Sequence, residues 1–299
     1  MSEGKLTFKL LFMLAQHLQT VIETIFYGVL KMKIKSKLVL ASLMAASCAI
    51  FAQTAPATPD STIAYNVGVV SQYRYRGLAQ THGLPALQGG VDYSNANGAY
   101  LGVWGSTIRW IKDASTKDTG NVVNVDGKSE IDIYGGYKFE ASGVGYDIGV
   151  LTYQYPGNTL KNISSTDLEN ANTTEVYGAA TLGVYTLKYS NATSNLFGYK
   201  NSKGSTYIDL TANFDMGAGF TLSPHVGRQA VKGTTSSYYP GGLSYSDYSL
   251  TLAKDMGNGI SATIAAVSTN AKNNGNFLSN KTSYNAAKET VVIGVKYTF

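Results

Sequence analysis

The chain has 299 residues, of which only 14% are charged, while Gly (32) and Tyr (22) are abundant. This composition is too polar for a bundle of membrane-spanning helices and too uniform for a disordered chain. It suits a transmembrane β-barrel, whose alternate residues face lipid and water. The net charge of +5 does not indicate a nucleic-acid partner, because residues 1–52 hold six of the 24 basic residues and two of the 19 acidic ones, which leaves the remainder at +1.

The N-terminal 52 residues are predicted to be absent from the mature protein. Residues 32–52 have a basic start, a short apolar run and small residues at the end, which is the pattern of a secretory signal peptide. Cleavage is expected after Ala52 or after Ala49. We interpret residues 1–31 as an upstream artefact, with translation starting at residue 32, because polar residues interrupt their apolar run. The alternative is an unusually long leader.

Residues 62–299 are predicted to form one barrel, after a spacer at residues 53–61. Strand-like runs of about the length that crosses a bilayer alternate with connections, and short turns containing Gly or Asn alternate with long polar loops. This alternation is typical of outer-membrane barrels with short periplasmic turns and long extracellular loops. We therefore predict an all-β fold, a transmembrane antiparallel β-barrel of about twelve strands. The predicted strands are residues 62–76, 85–94, 99–111, 129–140, 145–156, 173–182, 184–191, 204–215, 220–229, 244–254, 260–269 and 289–299.

The last strand, residues 291–299, alternates apolar residues with small or polar ones and ends on an aromatic residue. Tyr297 and Phe299 resemble the C-terminal assembly signal of Gram-negative outer-membrane barrels. We expect the barrel to close on this strand and the chain to engage outer-membrane lipids and the barrel-assembly machinery. The alternative is an edge strand buried in a soluble sandwich.

The alternation of side chains predicts which residues face the barrel lumen. Ile131 and Ile133 share one face of a strand, and Glu130 and Asp132 share the other. Because a Lys or Arg facing lipid at mid-depth costs about 2–4 kcal/mol, the polar faces are expected inside. Aromatic residues near strand ends are expected to form girdles at the membrane interfaces. The predicted girdle residues are Tyr73, Tyr75, Trp110, Tyr153, Tyr155 and Tyr297.

Two charged walls are predicted in the lumen, a basic wall from the first, third and last strands and a more acidic wall from strands four to ten. The predicted pore-lining residues are Arg74, Arg76, Arg109 and Lys296 in the basic wall, Asp132, Asp147, Glu175, Asp209 and Asp247 in the acidic wall with Lys188 among them, and His225. Opposed charges across an aqueous lumen would favour polar solutes, and the basic wall would set the selectivity. The alternative is that the charges pair and plug the lumen.

Signals for catalysis, metals or cofactors are weak. The only cysteine, Cys48, lies in the predicted leader, and a lipoprotein signal there is disfavoured because Ala45 stands where such signals prefer Leu. Of the two histidines outside the leader, His82 falls in a loop and His225 faces inward. A distant pair of histidines without cysteine does not predict a metal site, and one histidine among many serines is a weak indication of a hydrolase. No cofactor is predicted.

Four segments resemble the TorF family of proteobacterial porins. They are residues 67–80 (VGVVSQYRYRGLAQ), 85–93 (PALQGGVDY), 102–106 (GVWGS) and 130–137 (EIDIYGGY). The resemblance spans residues 62–299 and implies an outer-membrane barrel that passes small solutes. It transfers no catalytic residue to this chain.

The sequence therefore predicts a porin-like channel for passive diffusion of small polar solutes in the outer membrane of a Gram-negative bacterium, exported through a cleaved signal peptide. A second hypothesis is a non-conducting structural barrel, or one whose external loops bind a partner. A third is a lipid-modifying enzyme of the outer membrane, which would need His225 and a nearby serine as its base and nucleophile.

Overall fold

The computed structural model describes residues 60–118, 121–164, 166–233, 243–272 and 284–299. The predicted leader, and with it Cys48, lies outside these residues, as do residues 53–59 of the spacer. The barrel strands are β1 (Ser61–Val70), β2 (Ala86–Asn95), β3 (Ala99–Thr107), β4 (Ser129–Ala141), β5 (Val144–Gln154), β6 (Thr173–Leu182), β7 (Tyr185–Ala192), β8 (Thr206–Ala212 with Phe214–Gly217), β9 (Phe220–Ala230), β10 (Tyr245–Gly257), β11 (Ile260–Thr269) and β12 (Thr290–Thr298).

The loops contribute the remaining regular structure. A short helix, α1 (Trp110–Asp113), follows β3, and a single 3₁₀ turn, Leu160–Asn162, follows β5. The other loop elements are two small hairpins, Arg74–Tyr75 with Leu78–Ala79 and Thr116–Asp118 with Asn121–Val123. In the described part of the chain, no helix is both long and apolar enough to traverse a membrane.

The sheet closes into a barrel of twelve antiparallel strands. Each strand pairs with the next in the chain, and β12 pairs with β1, so that Val67 lies opposite Tyr297 and Val69 opposite Val295. The backbones of Tyr65 and Phe299 exchange two hydrogen bonds, of 2.8 and 2.9 Å. The predicted fold class, and closure on the last strand, are confirmed.

The tight turns lie where the glycine and asparagine pattern predicts them. At the β10–β11 turn, Asn258 and Gly259 both have positive φ, of 52° and 79°, as a two-residue hairpin turn of type I′ requires. The long connections all lie at the opposite end of the barrel, because short and long connections alternate along the chain. We call these two ends the turn end and the loop end.

The exterior of the barrel is apolar. Ile131 and Ile133 on β4 are 37% and 43% exposed, whereas Glu130 and Asp132 on the same strand are 2% and 9% exposed. The same pattern recurs around the barrel, with exposed Leu, Ile, Val and Tyr at alternate positions. A continuous apolar exterior of this kind is characteristic of a membrane barrel. The predicted facing of the strands is confirmed.

Two predicted strands are too long, and most of the predicted girdle is wrong. The first strand was expected to reach residue 76 and the third residue 111, but β1 ends at Val70 and β3 at Thr107. Apolar and polar side chains still alternate in residues 72–76 and 108–110, so alternation alone does not mark the strand ends. Of the girdle residues, Tyr297 lies on the exterior, whereas Tyr73, Trp110, Tyr153 and Tyr155 are buried inside, and Tyr75 sits on a hairpin inside the barrel.

Deleting Phe299 is expected to reduce the yield of assembled barrel severalfold. The deletion removes two backbone hydrogen bonds at the closing seam, together worth about 2 kcal/mol, and the stacking of Phe299 on Tyr65 at 5.7 Å. Phe299→Ala keeps the backbone bonds and should give an intermediate yield. The assembled fraction is measured by heat-modifiable mobility on gels. Phe139→Ala, another exposed aromatic of the exterior, is the control. An unchanged yield after deletion would contradict the role of this residue in closure.

Candidate functional site

The connection between β1 and β2 folds back into the barrel. It carries the hairpin formed by Arg74–Tyr75 and Leu78–Ala79, which we call the lumen hairpin. Its two-residue turn is Arg76 and Gly77, with φ of 45° and 80°. Positive φ at both positions is the type I′ geometry that matches the twist of antiparallel strands. This turn projects Arg76 into the barrel interior.

Arg76 is bound by side chains from the far wall. Its Nη1 and Nη2 donate to Oε1 and Oε2 of Glu175 at 3.0 and 2.8 Å, and Nη1 also donates to Oε1 of Gln229 at 2.6 Å. The guanidinium carbon lies 4.1 Å from the ring centre of Tyr207. The side chains of Arg76 and Glu175 are only 7% and 3% exposed. A bidentate pair of this kind fixes both the position and the orientation of the arginine.

The tip of the lumen hairpin is packed against the barrel wall. A Cβ placed on Gly77 would lie 2.8 Å from Cβ of Asp247 on β10 and 3.0 Å from Cβ of Thr269 on β11. Glycine is therefore required both for its backbone conformation and for the close approach. Because Glu175 belongs to β6, which lies half-way round the barrel from β12, the side chain of Arg76 at the hairpin tip spans the lumen.

Arg74 holds the base of the hairpin. Its Nη1 donates to the carbonyls of Ala286 at 2.9 Å and Gly77 at 3.2 Å, and its Nε donates to Oε1 of Gln72 at 3.0 Å. These bonds tie the hairpin to the segment that precedes β12. Arg74 therefore serves to position Arg76 within the lumen.

The predicted basic wall does not form as expected. Arg74 and Arg76 lie on the lumen hairpin instead of on β1, because β1 ends earlier than predicted. Arg109 lies beyond the end of β3, next to α1, where its Nε donates to Asp113 at 2.9 Å and its side chain is 45% exposed. Of the four, only Lys296 sits on a barrel strand, at an inward position of β12. Arg76 was predicted to lie opposite the acidic wall, but its side chain reaches across the lumen and binds Glu175 of that wall.

The acidic positions are grouped on strands β4 to β10. The predicted residues that lie at inward positions of these strands are Asp132, Asp147, Glu175, Lys188, Asp209, His225 and Asp247. Three further charged residues that are buried or half-buried share their orientation, namely Asp92, Glu130 and Lys138. The same alternation could have found them. Hydroxyls of Tyr134 and Tyr100 donate to Asp92 and Asp147, the second at 2.6 Å.

Carboxylates outnumber cations in this interior. Leaving out the exposed Glu140, Asp215 and Asp255 at the turn end, the strand positions facing the lumen carry seven carboxylates (Asp92, Glu130, Asp132, Asp147, Glu175, Asp209 and Asp247) and three lysines (Lys138, Lys188 and Lys296). When Arg74 and Arg76 of the lumen hairpin are added to the lysines, seven carboxylates stand against five cations. Counted as formal charges, the residues that line the lumen are therefore net negative.

His225 is held between neighbouring strands. Its Nδ1 lies 2.9 Å from Oγ1 of Thr211, and its Nε2 lies 3.1 Å from both Oδ1 of Asp247 and the hydroxyl of Tyr207. The hydroxyls at the ring are thus those of a threonine and a tyrosine, whereas the hydrolase hypothesis requires a serine. Both ring nitrogens have partners, as in a structural histidine. Across the described segments, no three His, Cys, Asp or Glu side chains are grouped as a metal site would require.

Apolar side chains of the loops pack at the loop end of the barrel. Trp110 and Ile111 of α1 are 6% and 0% exposed, and Leu160, Leu168 and Leu243 from two other connections are 0 to 2% exposed. This cluster was missed by the sequence analysis, because its members come from separate loops with no common periodicity. It surrounds the lumen hairpin on the outer side.

Comparison with known proteins places the chain in a family. Residues 53–299 match the model of a family described as "Bacterial protein of unknown function (Gcw_chp)". The chain belongs to the Gcw_chp family. No curated protein matches it.

Several solved structures are similar to the barrel. The KdgM porin has a TM-score of 0.44 at 10% identity, with 80% of this chain and 99% of that chain covered. The NanC porin has a TM-score of 0.42 at 11% identity, with 79% and 98% covered. The COG4313 outer membrane channel from Pseudomonas putida F1 has a TM-score of 0.41 at 11% identity, with 81% and 96% covered.

Proposed function

We propose that this Gcw_chp protein is an outer-membrane channel for passive diffusion of small polar solutes in a Gram-negative bacterium. The observation that carries the proposal is a closed barrel with an apolar exterior and a lumen lined by charged and polar side chains. A barrel filled for structural purposes alone has no need of so many buried carboxylates, since each costs desolvation energy. Export through a cleaved signal peptide and assembly on the C-terminal signal, Tyr297 and Phe299, are part of this proposal, as is the TorF resemblance.

The lumen hairpin is the constriction of this channel. Arg76 bridges the lumen to Glu175 and Gln229, so solutes pass between the hairpin and the strands it does not touch. We propose that the predicted residues at inward strand positions line the pore, together with Arg74 and Arg76 of the lumen hairpin. Arg109 belongs to the loop end and does not line the pore. The protein has no catalytic residue in this proposal.

The excess of carboxylates predicts a preference for cations. We expect planar-bilayer reversal potentials to give a cation preference, in contrast to the anion preference that a basic wall would have produced. The double variant Asp92→Asn and Asp147→Asn should lower the cation-to-anion permeability ratio about twofold. Asp126→Asn, an exposed loop carboxylate, is the control. Anion preference in the unaltered protein would contradict this assignment.

A liposome-swelling assay with a graded series of sugars tests the channel itself. Purified protein should admit the smallest sugars and exclude larger ones at a sharp size limit, because the lumen hairpin narrows the barrel. Liposomes with heat-denatured protein serve as the control. If swelling does not exceed that of the control for any sugar, the channel proposal fails.

The alternative of a non-conducting barrel whose loops bind a partner is favoured by one observation. The loops pack an apolar cluster over the loop end, with Ile111 and Leu160 fully buried. Single-channel conductance separates the two functions, because a closed barrel gives no current in either direction. The conducting function accounts better for the net charge of the lumen.

A further inference from the structure

A cavity lies between the lumen hairpin and the outer loops. It has a volume of about 80 Å³ and is lined by seventeen residues from the hairpin, α1, the barrel wall and the connections at the loop end. We call it the outer cavity. Tyr75 and Leu78 of the lumen hairpin line one side, and Gln229 and Tyr245 of the barrel wall line another. A molecule that enters the barrel from the loop end therefore meets the outer cavity before the Arg76 constriction.

The walls of the outer cavity are unusually aromatic. Seven of its seventeen lining residues are aromatic, against 11% of the whole chain. Trp110 packs edge-on against Tyr155, with ring centres 5.3 Å apart, and Tyr75 packs edge-on against Phe197 at 5.7 Å. Rings in these orientations present both faces and edges to a guest, which is how aromatic pockets bind planar rings.

The charge in the outer cavity is balanced by residues already present. The one carboxylate of its lining, Asp113, lies 2.9 Å from Nδ1 of His82 and accepts a hydrogen bond from Nε of Arg109 at 2.9 Å. Burial raises the pKa of Tyr284, so that its hydroxyl stays protonated and neutral. A charged guest would lose its hydration without gaining an unpaired partner, which is costly. The cavity therefore suits a neutral molecule.

Few hydrogen-bonding groups line the cavity beyond the tyrosine hydroxyls. Apart from His82 and Asp113, which contact each other, the remaining polar side chains are the amides of Gln80 and Gln229. The indole N–H of Trp110 is buried and, among the residues that the structure describes, has no hydrogen-bond partner. A sugar has a hydroxyl on nearly every carbon, and several of these hydroxyls would find no hydrogen-bond partner in the cavity. A ring with one hydroxyl would not have this cost.

We propose that the outer cavity is a binding site for small neutral aromatic compounds that carry a hydroxyl group. The ring would lie against the aromatic walls, and the hydroxyl would reach the few polar groups. A role of the outer cavity in the entry of solutes rests on the channel function proposed above. Binding itself does not, since it needs no passage through the barrel.

Trp110 is a built-in reporter of this site. The chain has two tryptophans, and Trp104→Phe leaves Trp110 as the single one. The fluorescence of this variant, folded in detergent micelles, is titrated with phenol, cyclohexanol or glucose, with excitation where phenol does not absorb. We expect a saturable change with phenol, a weaker response to cyclohexanol and no response to glucose.

Variants at Tyr284 show whether binding occurs in the outer cavity. Tyr284 stacks on His82 with ring centres 4.2 Å apart. Tyr284→Ala should weaken phenol binding about tenfold, and Tyr284→Phe, which keeps the ring, should largely retain it. Tyr146→Ala, at the turn end of the barrel, is the matched control. Heat-modifiable mobility confirms that each variant is folded.

Four outcomes would overturn the proposal. They are no saturable response to phenol, an equal response to cyclohexanol, a saturable response to glucose without one to phenol, and phenol binding in Tyr284→Ala as tight as in Tyr146→Ala. None of them bears on the channel function. That function is judged separately from the conductance of the same preparation.

Discussion

Replacing Arg76 with alanine is expected to lower the free energy of unfolding by about 3 kcal/mol and to raise the single-channel conductance severalfold. The substitution leaves Glu175 buried at 3% exposure without its bidentate partner, and removing one member of a buried ion pair is strongly destabilising. It also releases the tip of the lumen hairpin from the far wall. Urea unfolding in lipid vesicles and planar-bilayer recordings measure the two effects.

The double variant Arg76→Gln with Glu175→Gln separates charge from geometry. Two neutral amides remove the uncompensated carboxylate, so stability should recover substantially relative to Arg76→Ala. Conductance should remain above that of the unaltered protein, because the bidentate contact that holds the hairpin tip is gone. If Arg76→Ala changed neither stability nor conductance, the ion pair could not hold the constriction.

Replacing Gly77 with alanine is expected to widen the channel and to destabilise the barrel by about 2 kcal/mol or more. Alanine at φ +80° is strained, and its Cβ would lie 2.8 Å from Cβ of Asp247, closer than such atoms approach. The hairpin tip must therefore withdraw from β10 and β11. Denaturant unfolding and conductance again measure the result.

Gly143 supplies a matched control for Gly77. It also has positive φ, of 77°, but it lies in a turn where an added Cβ would meet no atom within 4 Å. Gly143→Ala should therefore show the backbone strain alone, of about 1 kcal/mol, with unchanged conductance. Equal effects of the two substitutions on conductance would contradict the packing of the hairpin tip against the wall.

The strands, their facing and the turns could be predicted because their signals are local. The alternation of side chains places Ile131 outside and Glu130 inside. The pair Asn258 and Gly259 favours a two-residue turn independently of distant residues. The closing seam followed from the same alternation in the last strand. These features need no information about distant residues.

The constriction could not be predicted because its contacts are long-range. Polar and aromatic residues alternate through residues 72–76, so the sequence favours a longer first strand, and only Gly77 signals a turn. The partners that draw Arg76 into the lumen, Glu175 and Gln229, lie 99 and 153 positions away. The alternative of paired lumen charges is realised where Arg76 binds Glu175.

The apolar cluster of the loop end could not be predicted for a related reason. Trp110 and Tyr155 stand just past the ends of β3 and β5, where an interfacial girdle is equally consistent with the sequence. Whether such a ring turns outward to lipid or inward to other loops depends on how the loops meet. In this barrel they pack against each other, which buries both rings.

The most direct test of the central claim is the conductance of a variant in which residues 74–79 are replaced by a Gly–Ser link of equal length. The claim is that a charged barrel conducts and that the lumen hairpin narrows it. The unaltered protein should give small, cation-preferring channels, and the variant should give channels severalfold larger from a barrel that is less stable but still closed. Equal conductance in the two proteins, or no conductance in either, would contradict the account.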